Sequence, residues 1–357
     1  MEDPVRARLI GMIGSADSTD RLRSLRDQAA RSMESRSPRL TAEQFNEALN
    51  EVHDALIRRA VLLSEEAMAR AGRGSPPVPY AYLLFGSGGR REQTLSSDQD
   101  SGLLYDNPAS DQNAGEVKAY YDELAGRIVA SLQAVGYPPC EGDVISTNPA
   151  WCDSLAGWQT KLDRWFGEAH WEVVRYLLIV ADGRIICGDE ALAARLYDHY
   201  YQDALDNPVI VRRMLDNTMR HKVLIGVFGQ LLRERYGEDS GSLDIKYGAY
   251  IPMVNAIRLL AIQGGIRKSS TIERIYALRE SGRIAENEAG AYLDAFRFIL
   301  ELRALSMERL MDGMYTNNGK LARHQLTPEV KRRLRQALRV GRKLQRQVYR
   351  QTIGKLQ

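Results

Sequence analysis

Cysteine is scarce in this sequence: three in 357 residues, Cys140, Cys152 and Cys187, an odd number with no Cys-x-x-Cys pair. That excludes a disulfide framework and a cysteine zinc site, and it predicts a reduced, cytoplasmic protein. The five histidines, His53, His170, His199, His221 and His324, are scattered without ligand spacing, which excludes a histidine zinc centre. No apolar run approaches the ~18–20 residues that span a bilayer. The densest, Tyr176–Ala181, is far shorter, so no membrane partner is expected. The chain opens on Glu2 and Asp3 and lacks the apolar stretch of a signal peptide. Compositional bias is absent too, and 44% hydrophobic residues are enough for a real core, which excludes disorder.

The net charge is only +3, but it is unevenly spread. From Lys320 to Gln357 there are twelve Lys or Arg against one acid, Glu329, a local net of +11 that leaves −8 for the remainder. Val330, Leu334, Leu338, Gly341, Leu344 and Val348 recur every three or four residues and form one helical stripe. Arg332, Arg335, Arg339, Arg342 and Arg346 fall largely off it. The pattern predicts an amphipathic helix with a solvated cationic face, in preference to a specific polyanion site.

At about 150 residues per domain, the length suggests two domains, or one with a large helical appendage. Residues 5–72 read as helices, with Thr41 and Gln44 in capping-box spacing, and Gly/Pro punctuation follows at 71–79. Strands are expected at Tyr80–Phe85, Gly102–Tyr105, Asp143–Thr147 and Leu178–Ile186, with a helix at Val117–Val135. Long helices are expected at 190–204, 207–236, 247–264, 270–281, 286–313 and 328–350. The expected fold is therefore α+β: an N-terminal helical region (1–75), a small mixed-sheet core flanked by helices (76–190) and an all-helical C-terminal domain (191–357). Trp151, Trp158 and Trp165, seven apart, read as core or groove lining.

One stretch carries the chemistry, from Leu84 to Tyr105. A dinucleotide-binding Gly-x-Gly-x-x-Gly fails at Arg91, a Walker loop has no Gly-Lys-Ser/Thr, and an EF-hand counted from Asp98 fails at Leu103 and Ala109. What remains is an apolar strand, a Gly86-Ser87 turn, a ten-residue gap and Asp98-x-Asp100 entering a second strand. Gly86, Gly88 and Gly89 allow close backbone approach and an anion-binding nest, and Ser87 can donate its hydroxyl to a terminal phosphate. On a strand, Asp98 and Asp100 face one side, and paired carboxylates suit Mg²⁺ held together with substrate phosphates. This is a layout for nucleotidyl transfer with pyrophosphate leaving.

Gly86-Ser87-x-Gly89-Arg90-x-Glu92 followed by Ser97-Asp98-x-Asp100 resembles the signature of the DNA polymerase β-type nucleotidyltransferase superfamily. Within it the sequence is most similar to the PII-uridylyltransferase-like nucleotidyltransferases that often accompany CBS or cyclic-nucleotide-binding domains. Asn148-Pro149-x-Trp151, Asp182-x-Arg184-x-x-x-Gly188-Asp189, Leu243-Asp244-Ile245-Lys246-x-Gly248 and Ser270-Thr271-Ile272-Glu273-Arg274 continue the resemblance over about residues 40–310. The Asp-Ile-Lys-x-Gly element is also similar to one in glutamine-synthetase adenylyltransferases. Only helices are expected before the core, with no CBS or cyclic-nucleotide domain, and Cys140-Glu141-Gly142-Asp143 stands where the family commonly has Cys-Pro-Gly.

The resemblance implies UMP or AMP transfer from a nucleoside triphosphate, with Mg²⁺ on Asp98 and Asp100. It also implies a third carboxylate as ligand or base. Strand order favours Asp143 slightly, with Glu141 and Asp182 as alternatives. Gly86, Ser87, Gly89, Arg90 and Lys246 are the expected nucleotide-binding residues. Arg90 can instead brace the turn through Glu92, and Lys246 can be a solvated lysine at a helix start. Asp244 and Arg258 are expected to serve the fold. The expected acceptor is a protein, a regulatory one in the manner of signalling uridylyltransferases, ahead of nucleic acid. The alternatives are a nucleotide-binding sensor without turnover and an enzyme acting on RNA.

Overall fold

The Thr41 capping box forms as its spacing predicts: the Thr41 hydroxyl accepts the Gln44 N–H and the Gln44 side chain accepts the Thr41 N–H. The structure, a computed structural model, describes residues 4–36, 40–168, 170–226, 229–234, 241–309, 315–316 and 318–356. The chain divides into two units, residues 1–164 with 183–200, and 165–182 with 201–357.

In chain order the elements to residue 206 are α1 (Pro4–Gly14), α2 (Thr19–Arg36), α3 (Ala42–Arg70), β1 (Tyr80–Leu84), the single turn α4 (Gly86–Gly89), β2 (Ser101–Tyr105), α5 (Ala114–Val135), β3 (Cys152–Ser154), α6 (Leu155–Glu168), α7 (Trp171–Ala181), β4 (Arg184–Gly188) and α8 (Glu190–Asp206). Four strands make one mixed sheet in the order β3-β2-β1-β4. β1 pairs antiparallel with both β2 and β4, and β3 lies parallel to β2. Every residue of β1 and β2 is buried, because both sheet faces are covered. Tyr80, Tyr82, Leu84, Leu103 and Tyr105 share a core with α3 and α5 residues such as Leu56, Ala60, Tyr121 and Ile128. On the opposite face Phe85 packs against Trp151 and Trp158, with ring centroids 5.1 and 6.5 Å apart. That double burial is why these strands read as continuous apolar runs instead of alternating ones.

Two strand expectations fail, each for a local reason. Residues 143–147 form turns: Asp143 adopts φ 54°, and a hydrogen bond from Ser101 N–H to the Val144 carbonyl ties the segment to β2. The third partner of the sheet is β3 instead. In Leu178–Ile186 the apolar residues end a helix, since Val173, Val174, Leu177, Leu178, Val180 and Ala181 are the buried side of α7, and the strand begins only at Arg184.

The second unit is helical, as expected, with short ladders added. After α7 it contains α9 (Pro208–Arg220), β5 (Leu243–Asp244), a π-helical turn at Lys246–Tyr250, α10 (Ile251–Gln263), α11 (Thr271–Glu280), α12 (Glu286–Leu305), β6 (Glu308–Arg309), β7 (Tyr315–Thr316), β8 (Lys320–Leu321) and α13 (Pro328–Leu356). β5 pairs with β8 and β6 with β7. α10 is buried from Pro252 to Ile262 on all sides and is the central helix. α13 packs on α9, α10 and α12 through the predicted stripe, with Leu334, Leu338, Leu344 and Val348 buried. The helix expected at 207–236 stops at His221, whose backbone is extended. The one expected at 286–313 ends at Leu305. Residues 235–236 and 310–313 of those expectations lie outside the described residues.

Candidate active site

The ladder between β1 and β2 runs one step beyond the strands, with the Phe85 N–H donating to the Asp100 carbonyl at 2.9 Å. This register sets the Asp100 side chain above the turn that leaves β1. A Cβ built on Gly86 would lie 2.0 Å from Asp100 Oδ2, and Gly86 also adopts φ +52°. Only glycine meets both demands. The serine turn and the second carboxylate are therefore neighbours by construction. Ser87 is half-buried at the start of α4, while Gly88 and Gly89 are buried beneath it.

Asp98 and Asp100 lie just before β2. Between them Gln99 turns into the core, its amide donating to the Tyr137 and Val129 carbonyls at 2.7 and 3.2 Å. Asp98 is exposed and Asp100 half-buried. Cys140 faces both acids: burial pushes its thiol up to about 12, and the charges of Asp100 and Asp98 and a hydrogen bond with Asp100 push the same way, while its bond with the Val144 backbone opposes them. The thiol therefore stays protonated beside Asp100.

Arg90 does not reach solvent. Its Nε donates to Glu92 Oε2 at 2.8 Å, with side chains 7% and 2% exposed, an arrangement that braces the turn. Arg91, the next residue, faces outward. Its backbone sits at φ 56°, a position that disfavours a side chain, and Asn46 Nδ2 donates to its carbonyl at 2.7 Å. Its guanidinium is 60% exposed and 3.9 Å from Asp54, whose carboxylate is already engaged by both terminal nitrogens of Arg184. Arg184 Nε also donates to the Gly88 carbonyl at 3.0 Å, so β4 and α3 clamp the turn together.

The loop that delivers Asp98 is pinned from behind. Buried His53 contacts the Thr94 carbonyl through Nε2 at 3.0 Å and the Tyr137 hydroxyl through Nδ1 at 2.7 Å, and Arg26 donates to the Leu95 carbonyl. A carbonyl only accepts, so Nε2 carries the proton and Tyr137 donates to Nδ1. Burial above all, then the Arg26 charge, lowers His53 to about 3, against a weaker upward pull from Thr94. The folded pKa is below the unfolded value, so the unfolded state binds more protons and stability falls as pH drops from about 6.5 towards 3. At pH 5 the loss from this one group is about 2 kcal/mol. Urea midpoints at pH 7 and pH 5 test this: His53→Gln is expected to shrink the drop by that amount, and an unchanged drop would contradict it.

The remaining expected residues are placed as follows. Asp143 and Glu141 are exposed on the turn that starts at Cys140, and the Asp143 carboxylate accepts Asn148 Nδ2 at 2.8 Å. Asp182 belongs to the helical unit, where Arg258 and Arg274 hold its two oxygens at 2.6 and 2.7 Å in full burial. That triad is structural. Lys246, in the same unit, is exposed with its Nζ 5.4 Å above the Tyr247 ring. Among the described residues no three His, Cys, Asp or Glu side chains group to hold a metal ion. A Mg²⁺ would rest on the Asp98 and Asp100 pair, which suffices when phosphates complete its sphere. Asp54, Arg91, Cys140 and His53 carry no sequence pattern that marks them; their places around the turn come from the fold.

Comparison with known proteins agrees with this chemistry. Residues 25–172 match the family described as putative nucleotidyltransferase DUF294, and residues 208–352 match its putative nucleotidyltransferase substrate binding domain. Two curated relatives, from Brucella suis biovar 1 and Brucella melitensis biotype 1, are each named bifunctional glutamine synthetase adenylyltransferase/adenylyl-removing enzyme. Each is 27% identical over 294 residues, covering 75% of this chain, and the chain spans 28% of the length of either relative. With both of its parts matched in order, the chain belongs to the DUF294 family of putative nucleotidyltransferases.

Proposed function

We propose that the protein transfers a nucleotidyl group, AMP or UMP, from a nucleoside triphosphate to a hydroxyl on a protein acceptor. The observation that supports this is the Asp100 carboxylate packed over Gly86, beside the Ser87 turn. A Mg²⁺ held by Asp98 and Asp100 would neutralise phosphate charge and orient the α-phosphate. Ser87 donates its hydroxyl to an outer phosphate. Arg91 supplies the cation for the departing pyrophosphate. The proton of the attacking hydroxyl passes to a carboxylate of the Cys140–Asp143 turn, Asp143 or Glu141, a turn that touches Asp100 through Cys140. Lys246 is retained as a phosphate contact of the helical unit on the strength of its Asp-Ile-Lys-x-Gly motif. The adenylyltransferase relatives favour AMP.

Incubation of the protein with a lysate and ATP or UTP labelled at the α- or the γ-phosphate tests this. An acceptor labelled from the α-position alone is expected. Label from the γ-position would indicate a kinase, and bound but untransferred nucleotide would indicate a sensor.

A further inference from the structure

Beyond the site just described, a groove along α13 is lined by Arg339, Arg342, Lys343, Arg346 and Arg350. Steps of four, three and four residues set Arg339, Lys343, Arg346 and Arg350 in one row on the helix, rising about 16 Å from first to last. All four are exposed. Arg342 beside them is half-buried and donates to the Gly226 carbonyl. One acid lines the groove, Glu288 of α12, and its carboxylate already accepts the Ala285 N–H and the Gln347 amide, with Lys343 Nζ at 4.0 Å. About four positive charges are left uncompensated among the described residues. The rest of the lining is amide, Gln347 and Gln351.

The lining contains no aliphatic or aromatic side chain. Stable protein–protein interfaces deplete charge at their centre and anchor on apolar or aromatic residues, which this groove does not offer. Single-stranded nucleic acid is held by bases stacked on aromatic rings, and those too are missing, since Tyr349 lies outside the lining. A duplex hides its bases and presents a regular run of phosphates, for which guanidinium groups and amides are sufficient. We propose that the cationic face of α13 binds the phosphate backbone of double-stranded nucleic acid, without reading its sequence. This does not rest on the nucleotidyl-transfer proposal.

Fluorescence anisotropy with the full chain and a duplex of about 20 base pairs tests it. With about four phosphates neutralised, log K is expected to fall against log salt with a slope of about −3 to −4, roughly a hundredfold between 50 and 200 mM. Arg346 and Arg350 form no ion pair with a described residue, so Arg346→Gln with Arg350→Gln is expected to leave the melting temperature unchanged and make the slope shallower by about 2. No binding at 50 mM salt would overturn the proposal, as would a slope unaffected by the double variant. Poly-glutamate competing as well as the duplex would indicate an acidic protein partner instead, and tighter binding of the separated strand would indicate base stacking.

Discussion

Arg90→Ala is expected to cost about 3–5 kcal/mol of folding stability, whereas Arg91→Ala, one residue on, is expected to cost less than about 1 kcal/mol. The contrast follows from where the two guanidinium groups lie. Removing Arg90 takes from the Glu92 carboxylate, 2% exposed, the guanidinium bonded to it at 2.8 Å. The loss of a charged hydrogen bond between two buried groups is the cost. Arg91 has a largely exposed side chain on a left-handed backbone, so Arg91→Gly is expected to match or slightly exceed wild-type stability. Ligand binding should reverse the order of importance. Arg91→Gly is expected to weaken triphosphate binding about tenfold or more while leaving monophosphate binding nearly unchanged, because the cation serves the outer phosphates. Urea melts and nucleotide titrations on these three variants check both halves. Equal destabilisation by Arg90→Ala and Arg91→Ala, or equal loss of triphosphate and monophosphate by Arg91→Gly, would contradict the assignment.

Asp98→Asn combined with Asp100→Asn is expected to lower nucleotidyl transfer by at least about a thousandfold with the fold intact. Asparagine keeps the shape that packs over Gly86 but removes the negative charge a divalent cation requires. Two carboxylates two residues apart also repel each other, so neutralising them is expected to leave stability equal or slightly raised. The single variants are expected to approach the loss of the pair, since both acids act on one ion. A Gly86→Ala variant is a poorer probe: its methyl would collide with Asp100 and force a left-handed alanine, so lost activity would not separate chemistry from folding.

The parts of the fold visible in the sequence are those set by local pattern. The Thr41 box, the two buried strands and the period-two placement of Asp98 and Asp100 around Gln99 all depend on neighbours a few residues away. What was not legible depends on partners far along the chain. The run ending in Ala181 is equally apolar as strand or helix, and the buried side of α7 decides it. Nothing local to Asp54 announces Arg184, 130 residues later, yet this pair clamps the Gly88 carbonyl. The motif singles out Arg90 and passes over Arg91. Arg90 is buried against Glu92, whereas the Arg91 guanidinium is 60% exposed. Asp182 has the residue type of a third ligand, but Arg258 and Arg274 already occupy it.

On the proposed function, the acid pair and the serine turn bind one metal-carried triphosphate together. Calorimetric titration with non-hydrolysable ATP and UTP analogues, with Mg²⁺ and with EDTA, tests it most directly. Binding that needs Mg²⁺, and that is lost in both Asp98→Asn/Asp100→Asn and Ser87→Ala, is the expected result. Triphosphate binding that persists in EDTA, or that survives loss of the acid pair, would contradict it.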